Sequence, residues 1–398
     1  MTIERNSLLL IGYLCIGVLL SLSVWTLLFL PQYLTQQAWS SQKIGWAMGM
    51  FFLMHLCAQM FAAGFAGRIG NVRTALLGVG LGTLGGLLYL RSLHTLELLF
   101  LARVFHGLGS GLVSAGVLIH LIESVPQELK GRMIGYFGLP GFVMVAAGPI
   151  LSKSLQDRWG MQATFCVVLL TFVGMVAPLL ALPRPLVQKK RARKFSQATR
   201  VNLPRLRSIL IFSLLFGFCV SSWQSFLAPA VVHIGTVAVS SFGLGYGAGA
   251  VACRLGISRM LEKNQRRTAA VSGLILFGSM LALLPHLNHP WLFAAAGLLC
   301  GGVHGLYYPA LSSIAAERFH PLVPGHGMSL YIAASSLGYF IGPPVWGILA
   351  DHTNYRWMFA AAGVLLASGT FLFVASERRK EPDWTRARSA ARRHHRDR

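Results

Sequence analysis

GPILSKSLQD, residues 148–157, recurs 194 positions later as GPPVWGILAD, residues 342–351, without a gap. Carried outward, the same offset pairs Gly107 with Gly301, Gly111 with Gly305, Glu123 with Glu317, Gly131 with Gly325 and Phe165 with Phe359. Agreement at glycines, an acid and a Gly-Pro pair over this range marks an internal duplication. The chain is two copies of one unit, and the residues between the matches say what the unit is.

Apolar residues make up 54% of the chain, charged residues 12%, and the mean hydropathy is +0.59. Soluble globular domains do not have this composition. A helix needs ~20 apolar residues to cross ~30 Å of hydrocarbon. Runs of that order lie at 7–30, 44–67, 74–91, 97–122, 133–155, 162–182, 208–231, 238–261, 268–285, 290–316, 327–350 and 357–376. The first reaches Pro31 without a small-residue cleavage site, so it reads as a retained helix rather than a signal peptide. A basic stretch at 183–207 divides the runs six and six. The expected fold is an all-α membrane protein with 12 transmembrane helices in two six-helix bundles. Residues 1–182 form the first bundle, 183–207 a basic linker, 208–376 the second bundle and 377–398 a basic tail.

The charge distribution sets the expected orientation. Lys43, Arg91, Lys153, Arg158 and Arg356 fall on one side, Arg103 and Arg254 within spans, and the other 28 of the 35 Lys and Arg on the side holding both termini and the linker. The positive-inside rule makes that side cytoplasmic, in a bacterial-type inner membrane. The pI of 10.7 then reflects basic segments facing anionic lipid headgroups, and nucleic acid is not an expected partner. The six cysteines lie inside apolar runs with no C-x-x-C spacing and read as small packing residues. No H-E-x-x-H, G-x-S-x-G or phosphate loop occurs, so no enzyme, cofactor or metal site is expected. GLGTLG, 80–85, matches G-x-G-x-x-G, but Gly78, Gly82 and Gly86 form a stripe that suits helix packing.

Three stretches resemble motifs of the major facilitator superfamily, and the likeness extends to about residue 376. RVFHGLGSG is similar to the fourth-helix motif R-x-x-Q-G-x-G, with Arg103, Gly107 and Gly109 in place and His106 where Gln is usual. GFVMVAAGP resembles the Gly-Pro motif of the fifth helix of exporters and antiporters, with Gly148 and Pro149. AGFAGRIGNVR resembles the loop motif after the second helix, with Ala63 and Gly67 at its usual Gly and Asp, and SRMLEKNQRR is its copy in the second half. The resemblance implies an inner-side gate in which Glu123 pairs with Arg68 or Arg73, and Glu317 with Arg259 or Lys263, Glu262 taking the acidic loop position. Ordinary surface ion pairing reads these residues equally well. Pro149 and Pro343 lack backbone donors and favour a kink.

Arg103 lies inside an apolar run, where a central charge costs ~2.5–3.5 kcal/mol on insertion scales. It shares a helix face with Gly107, so it faces protein or a cavity rather than lipid. Two roles stay open for it, substrate contact and bonding to carbonyls. His106 follows one turn deeper as a proton acceptor or a neutral hydrogen-bonding group, and His55 and Gln59 lie mid-span in the second run. In the family helices one, four, seven and ten line the cavity, which adds Trp25, Trp223, Gln224, His304, Tyr307 and Tyr308 as candidate lining. Every acid falls outside the middle of a span. Coupling through Arg103 and His106, or no proton coupling, follows. The expected function is export of a small organic solute, anionic or neutral, such as a carboxylate-bearing metabolite or siderophore, by alternating access. The other readings are an uptake permease of the same fold and a non-transporting membrane sensor or assembly partner.

Overall fold

A computed structural model describes residues 3–92, 95–183, 203–232, 235–257, 263–319 and 324–380. Six helical rods form the first half: α1 (Ile3–Trp25, continued by a 3-10 turn at Thr26–Phe29 and a short helix at Leu30–Gln36), α2 (Ser41–Ile69), α3 (Asn71–Arg91), α4 (Leu96–Ser124), α5 (Gln127–Trp159) and α6 (Met161–Gly174, continued at Val176–Leu180). The second half holds α7 (Leu203–Ala230), α8 (Thr236–Ala252, running into a π turn at Cys253–Ile257), α9 (Lys263–Leu283), α10 (Pro290–Phe319), α11 (Pro324–His352) and α12 (Tyr355–Lys380). Among the described residues eleven helices are long and apolar enough to cross a membrane, and there is no strand. The exception is α8, expected as one helix over 238–261, whose regular part stops after 17 residues at the π turn. Most of the linker, 184–202, and the tail, 381–398, fall outside the described residues.

Tight turns join several rods. Gly70 between α2 and α3 has φ +93°, and Gly160 between α5 and α6 has φ +73°. Both occupy the left-handed region, which glycine enters without the strain a Cβ brings. Ser40 opens α2, its hydroxyl accepting from the backbone N–H of Lys43 at 3.4 Å. An even number of crossings returns the first and last helices to one face, here called the terminal face; the opposite one is the distal face.

The duplication is visible in the packing. A Cβ at Gly107 or Gly111 of α4 would stand 2.5 Å from the carbonyls of Phe51 and His55 on α2; at Gly301 and Gly305 of α10 it would meet the carbonyls of Tyr246 and Ala250 on α8. Small residues at equivalent places thus let equivalent helices touch through their backbones. The GLGTLG stripe does the same, Gly78 facing α4 and Gly82 and Gly86 facing Phe172 and Leu169 of α6. Cys219 and Cys300 are buried in this packing, whereas Cys15 and Cys166 lie exposed on helix surfaces, contrary to their expected packing role.

The halves meet along a seam near the distal face, α2 against α11 and α5 against α8. Pro149 has no N–H to offer the carbonyl of Val145 four residues earlier, and Pro344 none for Phe340. These two carbonyls point across the seam: a Cβ at Gly243 would lie 2.7 Å from Val145 O, and one at Gly49 2.5 Å from Phe340 O. Gly45 and Gly347 bring further backbone onto the same seam, against Pro343 and Ser41. At its rim Asp351, at the end of α11, receives the backbone N–H of Ser41 at 2.8 Å and of Gln42 at 2.9 Å. A carboxylate there satisfies donors that the first turn of α2 leaves open. Its repeat partner Asp157 instead takes Lys153 within α5. The structure is therefore a distally closed state.

Candidate functional site

A cavity of about 150 Å³ lies between the halves, beneath the seam. Its wall comprises Trp25 of α1, Gly138, Gly141, Phe142 and Val145 of α5, Gln224 of α7, Tyr246 of α8 and His304 of α10. Trp25 closes it distally by stacking on Trp223 of the other half, centroids 6.0 Å apart and planes 11° from parallel. Gly148 lets the Trp25 backbone and Cβ come close, since a Cβ at this position would fall 2.6 Å from Trp25 Cβ. His304 is held by a hydrogen bond with the Tyr246 hydroxyl and by edge contacts with Phe142 at 5.7 Å and Phe216 at 5.4 Å. The chamber is thus aromatic with two polar side chains, and among the described residues no acid lines it.

Arg103 lies elsewhere. It is 3% exposed, its Nε donating to Ala47 O at 3.0 Å and its Nη2 to Met48 O at 3.1 Å, with the Phe51 ring 5.0 Å from the guanidinium carbon. Of the two roles left open by the sequence, this geometry is bonding to carbonyls: the guanidinium fork ties α4 to α2. Its Nη1 reaches Tyr89 Oη at 3.5 Å, and Tyr89 Oη lies 3.2 Å from His106 Nδ1. His106 Nε2 is 3.3 Å from Ser23 Oγ, which itself donates to Leu20 O at 2.7 Å. Because the Ser23 proton is committed, Nε2 must donate and Nδ1 must accept from Tyr89. One directed chain therefore crosses the first half, from Arg103 through Tyr89 and His106 to Ser23.

The other expected residues divide. Gln224 and His304 line the cavity, and Trp223 backs it; Tyr307 is core, stacked on Phe216 at 4.0 Å, and Tyr308 sits edge-on to Tyr331 at 6.0 Å. His55 and Gln59 form a separate cluster on α2, Gln59 Nε2 donating to His55 Nε2 at 3.0 Å and to Ser114 Oγ at 3.3 Å. At the terminal face Glu123 accepts from Asn71 Nδ2 at 2.7 Å, and no ion pair joins it to Arg68 or Arg73. Asn71 starts α3 directly after the Gly70 turn and reaches the carboxylate with a short side chain, while both arginines remain exposed. Arg259 and Glu262, and the side chains of Glu317 and Lys263, fall outside the described residues.

Comparison with known sequences bears on this architecture. The family model described as Major Facilitator Superfamily matches residues 9–323 and again 232–396. The chain belongs to the major facilitator superfamily. It is a multi-pass secondary transporter and not an enzyme, and transporters of this superfamily bind small-molecule substrates, sometimes with protons. Staphylopine export protein of Staphylococcus aureus (strain Mu50 / ATCC 700699) is 19% identical over 341 residues, covering 81% of this chain and 84% of its own. The uncharacterized MFS-type transporter YhhS of Escherichia coli (strain K12) is 23% identical over 376 residues, covering 91% and 88%. The crystal structure of the nucleoside transporter NupG superposes with a TM-score of 0.74 at 13% identity, covering 92% of this chain and 99% of that one.

Within this superfamily fold, sequence reasoning missed the contribution of α5 and α8 and overstated that of α4. Helix α4 is covered by α2 and α3 through Gly78, Gly107, Gly109 and Gly111, so its polar stripe faces protein. Gly138, Gly141 and Phe142 of α5 and Tyr246 of α8 take its place at the cavity. The run GLPGF was a usable signal, two glycines beside an aromatic ring on one helix. The end of α8 also brings Arg254 to the cavity margin: its guanidinium carbon lies 5.7 Å from the Phe142 centroid, and Nη2 is 3.5 Å from where a Cβ of Gly138 would stand.

Proposed function

We propose that this transporter exports a small organic solute, anionic or neutral, by alternating access between the two halves 1–182 and 208–376. The observation that carries the reading is the cavity wall: aromatic faces with Gln224 and His304 and, among the described residues, no acid to compensate a cationic solute. Export is supported by the Gly148–Pro149 pair, which serves the distal closure in two ways, Gly148 seating Trp25 and Pro149 freeing a carbonyl for Gly243. The relation to a staphylopine export protein is in keeping with it. We place the protein in the inner membrane with both termini and the linker on the cytoplasmic side, the basic segments against anionic headgroups.

Transport in vesicles of known orientation tests the direction: everted vesicles should accumulate candidate organic anions and right-side-out vesicles should lose them. Uptake in the opposite sense identifies a permease. Ethidium carried at the rate of an anion removes the charge assignment. A residue-195 cysteine, in a background without the six native cysteines, should resist impermeant thiol reagents in intact cells.

A further inference from the structure

Arg103 and Arg254 differ in where they lie relative to the two halves. Arg103 is enclosed in the first half, its fork bonded to two carbonyls of α2. Arg254 stands on the second half but against the first, on the terminal side of the seam, half-buried beside Gly138 and over the Phe142 ring. It sits in the π turn that ends α8. A π turn inserts a residue into the helical register and turns a side chain to a direction the regular helix would not give it; such turns are frequent at functional sites.

Gly138 and Phe142 belong at once to the cavity wall and to the surroundings of Arg254. The cation therefore lies at the margin of a chamber whose own wall supplies a flat apolar body, Trp25, Phe142 and Tyr246, and two polar groups, Gln224 and His304. At about 150 Å³ the chamber has room for a benzene-sized ring. Gly138, next to the guanidinium, and Gly141, on the same wall, add no side chain to the space between ring site and cation.

We propose that the cavity binds an organic anion, with an aryl-sized apolar portion between Trp25, Phe142 and Tyr246 and its carboxylate or similar group on the guanidinium of Arg254. The proposal rests on the anionic-or-neutral reading above and narrows it. The Phe142 ring, 5.7 Å from the guanidinium carbon, gives the cation an aromatic neighbour, and an arginine fork suits paired hydrogen bonds to a carboxylate. Because Arg254 belongs to α8 and Phe142 to α5, a bound anion would touch both halves and couple occupancy to their relative movement.

Three probes of one size and different charge test this on the full-length protein in detergent: benzoate, benzyl alcohol and benzylamine, read by tryptophan fluorescence and by thermal unfolding. The wild type should bind benzoate more tightly than the alcohol, and the amine least. Arg254→Gln should weaken benzoate at least ~10-fold, the loss of one charge-assisted contact, while leaving benzyl alcohol within about 2-fold. If that variant does not fold, Arg254→Met, apolar and of similar length, is judged by the same criterion. Undiminished benzoate binding without Arg254, or no benzoate binding by the wild type, overturns the assignment of the anchor and leaves the transport reading in place. A wild type that prefers benzylamine removes the charge reading itself.

Discussion

Asp351 offers the sharpest test of how the distal face is held shut. Its carboxylate joins α11 of one half to the first turn of α2 of the other through two backbone N–H bonds, 2.8 and 2.9 Å. A side chain capping a helix in this way stabilises it by about 0.5–2 kcal/mol, and an anion near the helix dipole adds ~0.3–1 kcal/mol. Asp351 is exposed, so solvent screening keeps the sum near the low end, about 1–2 kcal/mol. Asp351→Ala should therefore raise the ratio of distally open to distally closed protein by about 5- to 30-fold. Asp351→Asn, which retains one acceptor, should give a smaller change. Spin labels at residues 37 and 353, which flank the seam, report the distance between the halves in a variant free of native cysteines. Asp157→Ala is the control, because Asp157 pairs with Lys153 inside α5 and, among the described residues, bonds to nothing across the seam. Distance distributions that are the same in wild type and Asp351→Ala, or equal shifts in both variants, would refute the role given to this contact.

Gly148→Ala places a methyl group 2.6 Å from Trp25 Cβ, and should cost about 1–3 kcal/mol of stability as overpacking; the decisive reading is altered tryptophan fluorescence, with an unchanged spectrum counting against the seat described for Trp25. Arg103→Gln should lower stability by about 2–4 kcal/mol, two charge-assisted bonds offset in part by the desolvation of the cation, and should leave the ratio of benzoate to benzyl alcohol affinity unaltered. A collapse of that ratio with stability intact would return Arg103 to the substrate site. Glu123→Gln, whose amide oxygen still accepts from Asn71, should change stability by less than ~0.5 kcal/mol; a large change in the state of the terminal face would mean that an arginine engages Glu123 in another conformation.

Much of the architecture was legible because it is written in side chains. Apolar runs located the helices, and the glycines at 107, 111, 301 and 305 that carried the repeat are those that bring α4 to α2 and α10 to α8. The site was less legible because its deciding partners are backbone atoms. Nothing in residues 47 and 48, an alanine and a methionine, announces that their carbonyls receive Arg103. The expected helix over 238–261 missed the π turn, since apolar composition does not distinguish i→i+4 from i→i+5 pairing, and the placement of Arg254 was missed with it. Asp351 was visible as a repeat position, but its difference from Asp157 depends on which helix start lies opposite.

The proline-freed carbonyls of Val145 and Phe340 carry a consequence for the other half of the cycle. While the seam is closed they rest against Gly243 and Gly49, contacts made by neutral main-chain atoms that act only at touching distance. Once the halves part, acceptors with no helical donor must be hydrated, because leaving them bare in a nonpolar gap is costly. Distal opening is then a wetting event, with water entering the cleft as a reactant. The balance between states should follow water activity: osmotic stress from an excluded polymer should drive the protein toward the distally closed form, whereas moderate changes in ionic strength should move it little beyond the contribution of Asp351.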